Sequence, residues 1–224
     1  MNDSKTKIMV WDAPVRVFHW LMVLSFAGAY LTAESERWRL VHVSLGYTLG
    51  GLVAFRLVWG LLGTRYARFA SFVRGPVAVK RYLASIVRGR PEHHVGHNPA
   101  GAVAIVLLLM LSAATVATGW ANYNELGGKW LEELHEVAAN VMLAVVGVHV
   151  AGVVISSWLH SENLVRSMLT GQKQSAPLDG IRWTWRPLAL LLLTAVQGFW
   201  WLQWQSAPSP DAASGGTVAI KKAK

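Results

Sequence analysis

The sequence predicts an all-α fold, an integral membrane bundle of five helices. Hydrophobic residues make up 53% of the 224-residue chain and charged residues only 15%, against about a quarter in an ordinary soluble domain. A soluble chain of this size could not bury so much apolar surface, and the mean hydropathy is +0.34. Five apolar stretches are long enough to cross a bilayer, which takes about 20 helical residues. The net charge of +9 falls in loops between those stretches rather than on one soluble face. That is the pattern of membrane topology and not of nucleic-acid binding. No cysteine is present, which excludes disulfides, thiolate-ligated zinc, iron–sulfur clusters and covalently attached c-type haem.

The first span covers Val15–Ala33. It is poorly terminated, and a second span follows closely, so it is expected to be retained rather than cleaved as a signal peptide. The second covers Val41–Leu62. The loop after it carries Arg65, Arg68, Arg74, Lys80, Arg81, Arg88 and Arg90 against a single acid, Glu92. The third span covers Pro99–Ala121, and the loop beyond it holds one Lys against three Glu. The fourth covers Leu134–Leu159. Arg166, Lys173 and Arg182 follow, and the fifth covers Pro187–Trp204. Basic loops stay on the cytoplasmic side, so the N-terminus is expected in the cytoplasm and the C-terminus in the periplasm, with lipid around a bacterial inner-membrane protein. Trp11, Trp38, Trp59, Trp120, Trp130, Trp158, Trp183 and Trp204 lie near span ends, where interfacial aromatic belts sit. Residues 205–224, rich in Ser, Ala, Pro and Gly, read as a flexible tail.

Of the eight histidines, His93, His94, His97 and His160 lie in or beside the basic loops. His19, His42, His135 and His149 fall inside spans, where an ionisable side chain is costly and marks a functional site by default. A single buried His is commonly a hydrogen-bonded core residue; four on three helices argue for more. His135 and His149 are fourteen residues apart, four helical turns less about 40°, so both project from nearly one face at levels about 21 Å apart. The alternating span directions put His42 level with His135 at the outer side and His19 level with His149 at the inner side. Two stacked bis-imidazole sites in a four-helix bundle are what two b-type haems need, each iron held axially by one His from each of two helices. Zinc would need a third or fourth ligand at each level, and His135-Glu136 lacks the second His of a zincin motif. Arg56 stands fourteen residues beyond His42, on the same face at the inner level, where a guanidinium could pair with haem propionates; its alternative is to snorkel to the interface. Arg16, one turn before His19, is a second propionate candidate. Gly46, Gly50 and Gly51 would admit a flat macrocycle or simply close helix packing.

These residues resemble a known family. Trp11-Asp-Ala-Pro-Val-Arg-Val-Phe-His-Trp20 resembles the opening of the bacterial cytochrome b561 and nickel–iron hydrogenase b-type cytochromes. So do His42-Val-Ser-Leu-Gly46, Arg56-Leu-Val-Trp-Gly60, Gly96-His-Asn-Pro-Ala-Gly101 and the stretch from Glu133-Leu-His-Glu-Val-Ala-Ala-Asn140 through His149 to Arg166. The resemblance spans roughly residues 10–173 and implies a four-helix diheme core, with His19, His42, His135 and His149 as iron ligands. The domain reading is then a diheme domain over residues 1–173, a linker and fifth helix over 174–204, and the periplasmic tail. In this frame His97, before span three, would contact haem propionate or quinone, or simply mark the helix entry beside Pro99. His93 and His94 read as solvated loop residues, and Glu136 as an interfacial acid needing no special role.

The resemblance implies an electron-transfer cytochrome or membrane subunit of an oxidoreductase, with no catalytic acid–base residue. On that resemblance it is expected to carry two non-covalent haem b groups and to move electrons between the quinone pool and a periplasmic dehydrogenase, hydrogenase or c-type cytochrome. A free-standing quinone oxidoreductase of the superoxide-oxidising type is the alternative. A cofactor-free proton-coupled transporter or scaffold would need unpaired acids deep in the spans, and these are nearly absent.

Overall fold

The computed structural model describes residues 6–206, so the tail expectation falls almost wholly outside the described residues. Eight helices and two short strands follow in the order β1 (Thr6–Met9), α1 (Ala13–Thr32), α2 (Arg39–Leu62), α3 (Phe69–Phe72), α4 (Pro76–Val87), α5 (Pro99–Tyr123), α6 (Lys129–Leu159), α7 (Leu164–Thr170), β2 (Gln172–Ser175) and α8 (Arg186–Gln205). By length and composition, α1, α2, α5 and α6 can cross a membrane.

Local chemistry sets where these helices begin. Asp12 caps α1, its side chain accepting from the Val15 amide at 2.8 Å, with Pro14 in the first turn. Asn98 caps α5 in the same way, accepting from Gly101 N at 2.7 Å just before Pro99. Side-chain oxygens there satisfy amides that have no intrahelical partner, and proline loses nothing in a first turn. The helix α6 starts at Lys129, five residues before the apolar run marked its span. Hydropathy reports the thickness of hydrocarbon, whereas Lys129-Trp-Leu-Glu-Glu is a polar, helix-favouring turn that extends beyond it. At 31 residues, α6 is about 46 Å long, well over the ~30 Å of a hydrocarbon core.

Packing runs α1 on α2, α2 on α5, and α5 on α6, while α6 stands off from α1 and α2 at the backbone level. The stand-off lies between the faces that carry the span histidines. Large apolar side chains point outward instead, among them Leu31 at 82% and Val148 at 72% exposure, as a lipid-facing surface requires.

The fifth expected span is α8. It has 20 residues, the length of α1, but Gln197, Gln203 and Gln205 dilute its apolar character, and it is not among the four helices above. It packs on α1 and α2. Ala13 N donates to Thr184 O just before α8 (2.9 Å), and Trp200 Nε1 donates to Thr48 Oγ1 midway along α2 (2.8 Å). The helix therefore follows α1 in the same direction.

Three features depart from the sequence reading. The strands β1 and β2 pair antiparallel, Thr6 opposite Ser175 and Met9 opposite Gln172. The clasp continues where Val10 N and Trp11 N both donate to Gly171 O, at 2.8 and 3.0 Å. Gly171 ends α7 at φ +82°, a conformation that glycine adopts without strain. The basic loop is ordered into α3 and α4, and α4 packs on α5 with Tyr82 buried. Trp11 and Trp59, expected in an interfacial belt, are only 6% and 7% exposed. Both have hydrogen-bonding or apolar partners in the interior, Trp11 within a cluster of Ile8, Val10 and Tyr66.

Candidate functional site

At one end of the bundle, His42 in the second turn of α2 meets His135 on α6. Their ring centroids are 6.1 Å apart and the planes lie at 80°. His42 Nδ1 is 2.8 Å from Ala29 O. His135 Nδ1 is 2.9 Å from Thr115 O and 3.3 Å from Thr118 Oγ1. A carbonyl only accepts, so both Nδ1 atoms carry the proton and both Nε2 lone pairs are left for a ligand. This is how axial imidazoles are held and oriented. A metal about 2 Å from each Nε2 would set the centroids roughly 6 Å apart. The pair therefore fits a bis-imidazole iron.

Beside the pair is a cleft lined by Val43, Gly46, Tyr47, Val116, Gly119 and Trp120. Nothing lies within 4 Å of a Cβ placed on Gly46, whereas one on Gly119 would fall 2.8 Å from His135 Cε1. The seat of His135 thus depends on the missing side chain of Gly119, which the sequence reading did not single out. Tyr30 Oη donates to Asn140 Oδ1 at 2.8 Å and ties α1 to α6 at this end.

At the opposite end, beside the basic loop, His19 on α1 and His149 on α6 lie within electrostatic reach of each other. Both are half-buried, and His19 meets Trp20 edge-on at 5.1 Å. His19 Nδ1 is buried with no hydrogen-bond partner among the described residues. Around this pair gather the cationic side chains expected from the sequence. Arg56 is 3% exposed, its guanidinium over the rings of Phe69 (4.6 Å) and Phe72 (5.9 Å). It does not snorkel. Arg16 Nη1 donates to Thr170 O at 3.1 Å. His97 sits between Trp11 and Phe72, with centroids 4.5 and 4.7 Å away, and Asn98 rather than His97 caps α5. Burial first, then Arg56 and Lys173 beside it, push His97 down to about 3, so the ring is neutral at pH 7.

Arg56 Nη1, Arg16 Nε and His97 Nδ1 are all enclosed with no partner among the described residues. Each buried, unpaired polar group costs about 1–3 kcal/mol, and charged groups cost more. The two guanidinium groups among them match an anionic ligand, and the carboxylates of a haem fit them.

The remaining histidines lie apart from both pairs. His93 and His160 face each other at 5.7 Å beside a polar cleft that includes Lys7, Glu162 and Lys173. His94 is half-buried rather than solvated, over the Tyr82 ring at 5.6 Å, and burial, then Arg74, lower its pKa. Glu136 is exposed. Among the described residues, no cluster of three or more His, Cys, Asp or Glu could hold a metal ion.

The sequence reading also missed Asp12. It is 1% exposed and accepts three hydrogen bonds, from Val15 N, from Trp59 Nε1 at 3.1 Å and from Thr64 Oγ1 at 2.6 Å. An Asp ahead of Ala-Pro signals a helix cap, but not the two partners some fifty residues downstream.

A helical membrane bundle with facing imidazoles at one end and a cationic donor cluster at the other is the architecture of a b-type cytochrome. The family model described as prokaryotic cytochrome b561 matches residues 10–171, and the chain belongs to that family. It is a multi-pass membrane cytochrome of electron transport, with haem b as the cofactor the family implies. The matched region holds every candidate named above and excludes α8.

Among curated relatives, the "Probable Ni/Fe-hydrogenase 1 B-type cytochrome subunit" of Escherichia coli (strain K12) is 28% identical over 151 residues, 55% of this chain and 63% of that protein. The match thus spans less than two thirds of that relative's length. The "Probable Ni/Fe-hydrogenase B-type cytochrome subunit" of Rhodobacter capsulatus is 22% identical over 217 residues, 75% of this chain and 82% of that protein. The subunit of the same name from Azotobacter chroococcum mcd 1 is 29% identical over 161 residues, 58% of this chain and 66% of that protein. No solved structure matches the chain.

Proposed function

We propose that the chain holds two haem b groups, one between His42 and His135 and one between His19 and His149. It passes electrons across the inner membrane between the quinone pool and a periplasmic redox partner. The observation that carries this reading is the His42–His135 pair, whose Nδ1 atoms are anchored to carbonyls while the rings stand 6.1 Å apart. When bound, the haems supply one-electron redox chemistry. The chain supplies the rest. His42 and His135 are held in one tautomer by Ala29 and Thr115, Arg56 and Arg16 offer donors to the haem carboxylates, and the apolar helices exclude water so that fixed charges set the potentials.

The basic loop and the β clasp face the cytoplasm in this reading, because Lys and Arg are retained there, and the His42 end faces the periplasm. The relatives are named as hydrogenase cytochrome subunits, which supports a hydrogenase as partner; a dehydrogenase or c-type cytochrome on the periplasmic side is the wider form of the same proposal. In that arrangement α8 is a fifth transmembrane helix alongside α1, outside the haem core.

The test is transfer across a sealed membrane. Haem-loaded protein in vesicles is given a reduced quinone analogue, and a water-soluble haem protein on the His42 side serves as acceptor. Acceptor reduction that depends on the protein and is lost in His42→Ala is the expected result. Haems that are reduced by the quinol but never pass electrons to the acceptor would overturn the transmembrane reading.

A further inference from the structure

The buried carboxylate of Asp12 lies at the inner end of the bundle, where its three hydrogen-bond donors, a backbone amide, an indole and a hydroxyl, are all neutral. A buried carboxylate with neutral partners alone is costly and calls for positive charge nearby. Arg56 and Arg16 both lie within electrostatic range of it, and among the described residues neither closes to a direct ion pair with it. The distinction matters. A direct pair would occupy the guanidinium donors, whereas Arg56 Nη1 and Arg16 Nε remain buried and unpaired. Asp12 also caps α1, the helix that carries Arg16 and His19, and bonds Trp59 one turn beyond Arg56 on α2. One carboxylate thus sets the relative position of the two helices that present this cluster.

We propose that Asp12 is a positioning residue for the inner haem: its hydrogen bonds fix the ends of α1 and α2, and its charge offsets Arg16 and Arg56 while leaving their donors free for the haem carboxylates. This rests on the two-haem reading above. It follows that Asp12 lowers the midpoint potential of the haem between His19 and His149, because a fixed negative charge favours the oxidised, more positive iron. The haem at His42, about 21 Å away along α6, is beyond its reach.

The experiment is a potentiometric titration of the purified, haem-loaded full chain, following both haems by their reduced-minus-oxidised spectra. Asp12→Asn should raise the inner midpoint, changing its reduced-to-oxidised ratio at fixed potential by roughly tenfold, equivalent to about 59 mV for one electron, with the outer midpoint unmoved. Both haems retained with neither midpoint moved would overturn the proposal.

If Asp12→Asn fails to load the inner haem, the single variant Thr64→Val decides, since it keeps the charge, the α1 cap and the Trp59 bond that ties α1 to α2, and removes one donor that damps the charge. The inner haem should then stay, with a lower midpoint. An unmoved midpoint, or loss of the haem there too, would assign Asp12 to packing alone and overturn the proposal. A wild type without a second haem would instead sink the reading beneath it, and haem content alone tells that result apart.

Discussion

The two ends of this bundle solve the same problem with opposite means. At the His42 end, the rings of His42 and His135 are each anchored by a backbone carbonyl, and neighbouring aromatics and glycines form an apolar cleft. At the His19 end, His19 Nδ1, Arg56 Nη1, Arg16 Nε and His97 Nδ1 are all buried with no partner among the described residues. The first end is pre-organised by hydrogen bonds that are complete without a ligand. The second leaves its buried polar atoms without partners among the described residues. In the proposed two-haem reading, ring position would be fixed by the protein at one end and by the bound group at the other, and positive charge should set the inner potential more than the outer one.

The largest expected effect separates the two ends outright. His42→Ala and His149→Ala should each halve the haem content and remove a different component of the reduced spectrum. Loss of both haems from either variant would mean that the sites are not independent. Next comes Gly119→Val, which drives a side chain into His135. The haem at the His42 end should fall several-fold in occupancy with the inner one unchanged, as the two spectral components would report.

A smaller change is expected from Arg56→Gln. Removing that buried cation should lower the inner midpoint, by roughly tenfold in the reduced-to-oxidised ratio or about 59 mV, and leave the outer midpoint alone. An equal shift at both haems would erase the electrostatic contrast. The smallest effect belongs to Tyr30→Phe, which removes one hydrogen bond between α1 and α6. It should cost about 0.5–1.5 kcal/mol, a Tm fall of roughly 1–6 °C, with both spectra intact.

Four of the five expected spans, and their histidines, were legible because both rest on local signals. A run of apolar residues states where hydrocarbon lies, and the fourteen-residue spacing of His135 and His149 states that they share a face. The meeting of His42 with His135 followed from span direction alone. Arg56 was legible as a cation too deep for its surroundings.

What the sequence hid was tertiary. The strands Thr6–Met9 and Gln172–Ser175 are short and polar, without the alternation that marks a strand, and they pair across more than 160 residues of chain. Asp12 reads as a cap, and its bonds to Trp59 and Thr64 exist only once α1 and α2 are packed. Trp11 and Trp59 looked like belt residues because position along a span does not say which face is turned inward. Gly119 carries no sequence mark at all; its role is visible only from the ring it makes room for.

The central claim is that two haems occupy two differently built ends of one chain. The pyridine haemochrome content of the detergent-purified wild type tests it most directly. Two haem b per chain, titrating as two components, is the expected result. One haem per chain would contradict the paired architecture, and none in a folded protein would contradict the ligand assignment altogether.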